Sequence, residues 1–167
     1  MSVNTDHKSG MEGSSAVIAT LLIFLAIAFV PSIIGASFRP GAWYEALFKP
    51  SWNPPSWLFG PVWTTLYTLI GFAGYLAWRS SRASQRYGVF GIYAVQLLLN
   101  ALWSPLFFGL HSPGLALVNI VAQWVAISLN IAAFYRIKPA AGFLLVPYLL
   151  WVTYALVLNA SIWNLNR

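Results

Sequence analysis

Between Arg86 and Arg136 the chain carries no lysine, arginine, aspartate or glutamate. A helix needs roughly 20 apolar residues to cross the hydrocarbon core of a bilayer. This stretch is too long for one crossing and too apolar to face water. The rest of the chain follows the same pattern. Hydrophobic residues make up 59% of it and charged residues 7%, where a soluble domain carries about 25%. The fold class that follows is an all-α integral membrane protein.

The uncharged stretch must turn once, and the turn is His111-Ser112-Pro113-Gly114, because Pro and Gly together end a helix. Placing the other breaks at charged or proline-rich segments gives five spans, at about 16–38, 56–78, 87–108, 115–135 and 140–163. The expectation is therefore a five-transmembrane-helix bundle over residues 16–167. Residues 1–15 hold Asp6 and Glu12 and read as a disordered polar tail. They do not read as a signal peptide, because apolar sequence starts only at Ala16.

Lys and Arg collect in cytoplasmic loops. With five spans, one side holds Lys8, Arg79, Arg82, Arg86, Arg136 and Lys138, and the other Arg39, Lys49 and Arg167. This bias predicts the N-terminus inside and the C-terminus outside. The net charge of +6 is thus read as topology, and no nucleic-acid partner is expected. The chain has no cysteine, which excludes disulfides and thiolate metal sites. No cluster of metal ligands and no nucleophile triad is present, so neither a metal nor a cofactor is expected.

Nine tryptophans need a reason. Trp43, Trp52, Trp57, Trp78 and Trp163 fall in the first loop or near span ends, where amphipathic rings sit at headgroup depth. Trp124 and Trp151 fall mid-span and do not fit such a belt. Three helices carry aromatic and polar stripes at 3–4 spacing: Trp63, Tyr67, Gly71 and Gly74; Gln96, Asn100, Trp103 and Phe107; Tyr148, Trp151, Ala155 and Asn159. At 1.5 Å of rise per residue the stripes overlap in depth. Polar groups in the membrane face the bundle interior, where Asn and Gln hold helices together or line a cavity for a flat, mostly apolar ligand. The fourth span reads as a small-residue packing stripe, Asn119, Ala122, Ala126, Asn130 and Ala133. Glu45, four residues before Lys49, reads as a local ion pair. No acid lies within a span, which weighs against a proton-coupled exporter.

The run W-Y-E-A-L-F-K-P-S-W-N-P-P at Trp43–Pro55 and V-W-x-x-L-Y at Val62–Tyr67 resemble the translocator protein family, the bacterial tryptophan-rich sensory proteins and mitochondrial peripheral-type benzodiazepine receptors. The match continues through Q-L-L-L-N-A-L-W-S-P-L-F-F-G at Gln96–Gly109 and P-Y-L-L-W-V-T-Y-A-L-V-L-N at Pro147–Asn159. The resemblance implies a five-helix bundle, commonly a homodimer, that binds porphyrins such as protoporphyrin IX, sterols and aromatic drugs. It implies pocket residues at Tyr44, Trp63, Asn100, Trp103, Trp151 and Ala155, and a first loop that acts as a lid. Ala160 and Asn164 stand where the family's C-terminal sterol motif has Tyr and Arg.

Joining stripes and resemblance gives an expected ligand site of Tyr44, Trp63, Tyr67, Gln96, Asn100, Trp103, Phe107, Tyr148, Trp151 and Ala155. Arg39 and Lys49 are expected at its mouth, facing ligand carboxylates. The leading reading is a membrane receptor or carrier for tetrapyrroles. A light-dependent porphyrin-degrading enzyme stays open beside it, with Trp63 and Trp151 as candidate catalytic residues, and a multidrug exporter ranks third.

Overall fold

The computed structural model describes residues 15–167, with the helix that contains residue 15 traced along its backbone from Asn4. The tail expected over residues 1–15 lies almost wholly outside the described residues. Among the described residues there is no strand. The helices are α1 (Asn4–Ala36), α2 (Ala42–Ala46), α3 (Phe59–Ser80), α4 (Ala83–Ser104), α5 (Pro113–Ile137), α6 (Pro139–Phe143) and α7 (Val146–Leu165).

Four helical stretches among the described residues are long and apolar enough to cross a membrane: Ser15–Ala36, Ala83–Gly109, Pro113–Ile137 and Pro139–Leu165. The protein is an integral, multi-pass membrane protein. The second of the five predicted spans is α3, which is not among these four. Its threonines, tyrosines and glycines lower its mean hydropathy. Those hydroxyls are nonetheless closed within the helix, because Thr64, Thr65 and Thr68 donate to the carbonyls of Gly60, Pro61 and Thr64 at 2.9, 3.0 and 2.8 Å.

Helix ends differ from the expected spans for local reasons. α4 starts four residues early because the Gln85 side chain accepts from the Arg82 N–H at 3.1 Å and caps the helix. It ends in one wide turn over Pro105–Gly109, closed by Leu110 N–H to Pro105 O at 2.8 Å. His111 then takes a positive φ of 51°, a left-handed conformation that non-glycine residues seldom adopt. The last arm breaks between α6 and α7, since Pro147 has no N–H and its ring crowds the preceding turn.

α1 packs on α3 and α4, α4 on α5, α5 on α6 and α7, and that arm on α3. The ring therefore runs α1–α3–α7–α5–α4. Its lower half, on the side of Arg79 and Arg86, is filled by rings. Phe24, Trp78, Phe90, Tyr93 and Phe134 meet at centroid distances of 5.2–6.2 Å. Outward faces of α1 and α5 expose Leu22, Ile33, Val118 and Leu129, as lipid contact requires.

Two expected stripes shift. Gly71 and Gly74 do not continue the Trp63 and Tyr67 face toward a cavity but receive α1. A Cβ on Gly71 would stand 2.7 Å from Leu25 Cδ2 and 3.0 Å from Leu25 Cα, and one on Gly74 would stand 2.7 Å from Phe24 Cδ1. On α5 the buried face is Asn119, Gln123, Ala126, Asn130 and Phe134, while Ala122 is exposed. A helix of 3.6 residues per turn allows either three- or four-residue steps, and the four-residue step puts Gln123 inside.

Gly71→Val is expected to lower the thermal unfolding midpoint in detergent, since overpacking costs about 1–3 kcal/mol. Gly91→Ala, whose Cβ would meet nothing within 4 Å, is expected to leave it unchanged or higher. Equal melting of Gly71→Val and the parent would mean that α1 does not lie against α3 as described.

Candidate functional site

The upper half of the ring is hollow. A cavity of about 620 Å³ lies between the helices and under the first loop. Its walls are largely aromatic. Trp63 and Tyr67 of α3 stack at 5.2 Å and 26°. Trp103 and Phe107 stack at 4.9 Å and 22° on the opposite wall. Trp151 of α7 stacks on Tyr154 at 5.6 Å and touches Phe59 edge-on at 5.9 Å. Ala155 leaves space one turn above Trp151, beside Leu158 and Asn159.

Polar atoms on these walls are tied to each other. The Tyr67 hydroxyl donates to Asn100 Oδ1 at 2.8 Å. Trp103 Nε1 donates to Asn159 Oδ1 at 3.0 Å, and Asn159 Nδ2 donates to the Pro113 carbonyl at 2.8 Å. Gln123 Nε2 donates to the Tyr148 hydroxyl at 2.8 Å. These bonds join α3 to α4, α4 to α7 and α5 to α7, so they fix the helices around the hollow as well as its surface.

Of the residues expected from sequence, Tyr44, Trp63, Tyr67, Asn100, Trp103, Phe107, Trp151 and Ala155 line the cavity. Gln96 and Tyr148 do not; both are buried just behind the wall, at 1% and 0% exposure. Arg39 lines the cavity and is exposed, as are the lining residues Ala36 of α1 and Gly60 and Thr64 of α3, so the cavity has an open edge bordered by these two helices. Lys49 does not reach the cavity. Its ammonium donates to the main-chain oxygens of Glu45 and Leu47 at 3.2 and 3.0 Å and lies 4.6 Å from the Tyr44 ring centroid. The ion pair expected from the Glu45 and Lys49 spacing gives way to these bonds.

Sequence reasoning passed over Gln123, Phe29, Phe108 and Ile162, all of which line the cavity. Gln123 could have been found, since an amide in mid-span four residues after Asn119 must face inward. The three apolar residues have no signal that separates cavity from core.

The first loop closes over the top. Trp43 stacks on His111 at 4.4 Å and 15°, and Tyr44 meets Phe107 and Phe108 edge-on. Burial raises the pKa of the Tyr44 phenol, with its hydrogen bond to Asn53 opposing, so it stays a neutral group. Asn166 latches the loop to the C-terminal end of α7. Its side chain accepts from Phe48 N–H and donates to Phe48 O, both at 2.9 Å, and donates to Ile162 O at 2.7 Å. The Tyr154 hydroxyl adds a bond to Trp52 O at 2.9 Å.

The sequence pattern of the TspO/MBR family matches residues 19–164. The chain is 43% identical to the "Tryptophan-rich protein TspO" of Chlorobaculum tepidum over 158 residues, covering 89% of this chain and 97% of that protein. It is 39% identical to the "Tryptophan-rich sensory protein" of Cereibacter sphaeroides, covering 89% and 92%. It is 40% identical to the human "Translocator protein", covering 80% and 82%.

Asn166→Ala is expected to free the loop without unfolding the bundle. Limited proteolysis in detergent should then cut within residues 40–55 several times faster than in the parent, at an unchanged melting midpoint. An unchanged cutting rate would mean that the asparagine bridge does not hold the lid.

Proposed function

The chain belongs to the TspO/MBR family, and on that premise we propose that it is a membrane receptor or carrier for porphyrins, with sterols and aromatic drugs as further ligands of the same cavity. The supporting observation is the aromatic hollow of about 620 Å³ with few polar groups, the kind of site that suits a flat apolar molecule. Trp63 and Tyr67 on one wall and Trp103 and Phe107 on another offer ring faces to a macrocycle, each contact worth about 0.5–1.5 kcal/mol. Arg39 at the mouth is placed to meet a propionate, worth about 0–1 kcal/mol at an exposed site. The name "sensory" carried by one relative agrees with a regulatory role, and "translocator" with transport.

The proposed topology has five crossings, with α3 as the fifth. Its 22 residues reach ~33 Å at 1.5 Å per residue, enough for the hydrocarbon core, and its threonine hydroxyls are already satisfied. The N-terminus lies inside and the C-terminus outside, and the protein pairs with a second copy of itself. A reporter fused after Arg167 is expected to act only outside the cytoplasm. Activity confined to the cytoplasm would reject this orientation.

A second reading is light-driven breakdown of the bound porphyrin. It is favoured by one observation: the rings of Trp151, Tyr154 and Trp52 follow one another at 5.6 and 5.7 Å, from the cavity wall to a residue 43% exposed. Trp63 and Trp151 would then be the electron-rich catalytic residues.

One titration addresses both readings. Protoporphyrin IX is expected to quench tryptophan fluorescence of the purified protein saturably in the dark. Ala155→Phe should weaken that binding at least tenfold while the protein still melts cooperatively. Unchanged affinity would move the site elsewhere. Under illumination, loss of porphyrin absorbance that persists at the parental rate in Trp63→Phe and Trp151→Phe would remove the enzymatic reading.

A further inference from the structure

Seven polar or charged residues are buried among the described residues, and five of them are paired or within reach of a partner. Asn100 Oδ1 accepts from the Tyr67 hydroxyl, Gln123 bonds Tyr148, Asn159 bonds Trp103 and Pro113, Asn119 Nδ2 donates to Leu99 O at 2.9 Å, and Ser81 Oγ donates to Trp78 O at 3.0 Å. Gln96 and Asn130 are the exceptions. Among the described residues neither the nitrogen nor the oxygen of either amide has a protein partner. An unmet buried donor or acceptor is destabilising, and Met or Leu would fill either place without that cost. Local rules broken in this way gather at functional sites.

The two exceptions stand in different places. Asn130 lies on α5 about two turns below Gln123, amid the aromatic lower half. Gln96 lies on α4 one turn below Asn100, on the same helix face. Asn100, Tyr67 and Gln123 line the cavity at its deep end, its floor, and their hydrogen bonds already commit them to one another or to Tyr148. Gln96 is not itself a lining residue, but it stands one helical turn below Asn100 with two donor hydrogens and an acceptor that no protein group meets among the described residues. Its side-chain torsions let the amide change rotamer, and one water spans the remaining gap where needed.

Charge at the floor is a further constraint. Among the described residues no Asp, Glu, Lys or His lines the cavity, and Arg39, at the exposed edge, is the one charged residue that does. An ionised group carried to the floor would lose its water with no counter-charge to meet it.

We propose that the cavity floor is a hydrogen-bonding subsite for one neutral polar group, a carbonyl or an N–H, on the buried end of a flat apolar ligand, and that Gln96 is the residue that receives it. The inference rests on the cavity being a ligand site. It adds a direction to that site: anionic groups stay at the Arg39 mouth, and the neutral polar end goes down. Gln96, which no protein group meets among the described residues, gains a direct partner in the complex, and an apolar residue in its place gives up that partner without destabilising the protein alone.

The test uses two flat probes that differ by one group, fluorenone and fluorene, titrated by fluorescence quenching into the full chain in lipid nanodiscs. The parent is expected to prefer fluorenone about fivefold, the ratio that ~1 kcal/mol of net hydrogen bonding gives. Gln96→Met, of similar shape, should lose that preference and should melt no lower than the parent when empty. Asn130→Leu should keep the preference, because its amide is away from the floor. Comparing the preference within each variant cancels partition of the probes into lipid. A preference unchanged in Gln96→Met, or lost equally in Asn130→Leu, overturns the proposal, as does a lower melting midpoint for empty Gln96→Met. Failure of both probes and of protoporphyrin IX to bind the parent would instead defeat the reading of the cavity as a ligand site.

Discussion

Lipid offers no hydrogen bonds, so each polar group that this chain places in the bilayer must be met from within the protein. That constraint sorts most of the polar residues into two kinds, with Gln96 and Asn130 outside both. Hydroxyls on outward faces close on their own helix, as Thr65, Ser128 and Ser161 do at 2.8–3.0 Å. Amides and phenols on inward faces reach across to another helix, as in Tyr67–Asn100, Gln123–Tyr148 and Trp103–Asn159. These cross-helix bonds set the spacing of the helices that wall the apolar hollow, and the cavity depends on them.

The tryptophans illustrate how one residue type serves different ends. Trp78 at the basic end carries the Arg86 guanidinium 4.0 Å from its ring centre, an interfacial use. Trp124, which no belt explains, is 37% exposed and sends Nε1 to Thr153 Oγ1 at 2.8 Å, joining α5 to α7 on the lipid side. Trp63, Trp103 and Trp151 line the hollow. Only their position relative to the ring of helices separates these uses.

Much of this was legible in the sequence because membrane burial leaves strong traces. Uncharged length marked the helices, and the aromatic and amide stripes on Trp63, Asn100, Trp103 and Trp151 marked the inward faces. What escaped depended on finer geometry. Gly71 and Gly74 share the helical spacing of Trp63 and Tyr67, yet helix α3 turns enough along its length that they meet α1 instead of the cavity. Gln123 was displaced by one residue in favour of Ala122, because small residues on a helix suggest close packing whichever neighbour they stand beside. Lys49 has the charge to meet a ligand carboxylate, but four residues of loop turn it back onto the carbonyls of Glu45 and Leu47. Spacing gives a residue's face; it does not give the direction of a long side chain in a folded loop.

The two halves of the bundle are held by different forces, and this decides where it can move. The lower half has glycine-mediated contact between α1 and α3 and five interlocked rings around Phe24 and Tyr93. Displacing any one of them opens a void, which close-packed interiors resist. The upper half has a hollow centre, a lid held by Asn166, Tyr154 and the Trp43–His111 stack, and an open edge between α1 and α3. These contacts are few, several are exposed, and each can exchange with water or headgroups at modest cost. Regions with few buried contacts open first and at the least free energy. Motion in this protein therefore belongs to the lid and the adjoining helix ends, above a base that stays fixed and keeps the cavity floor in register while the mouth opens.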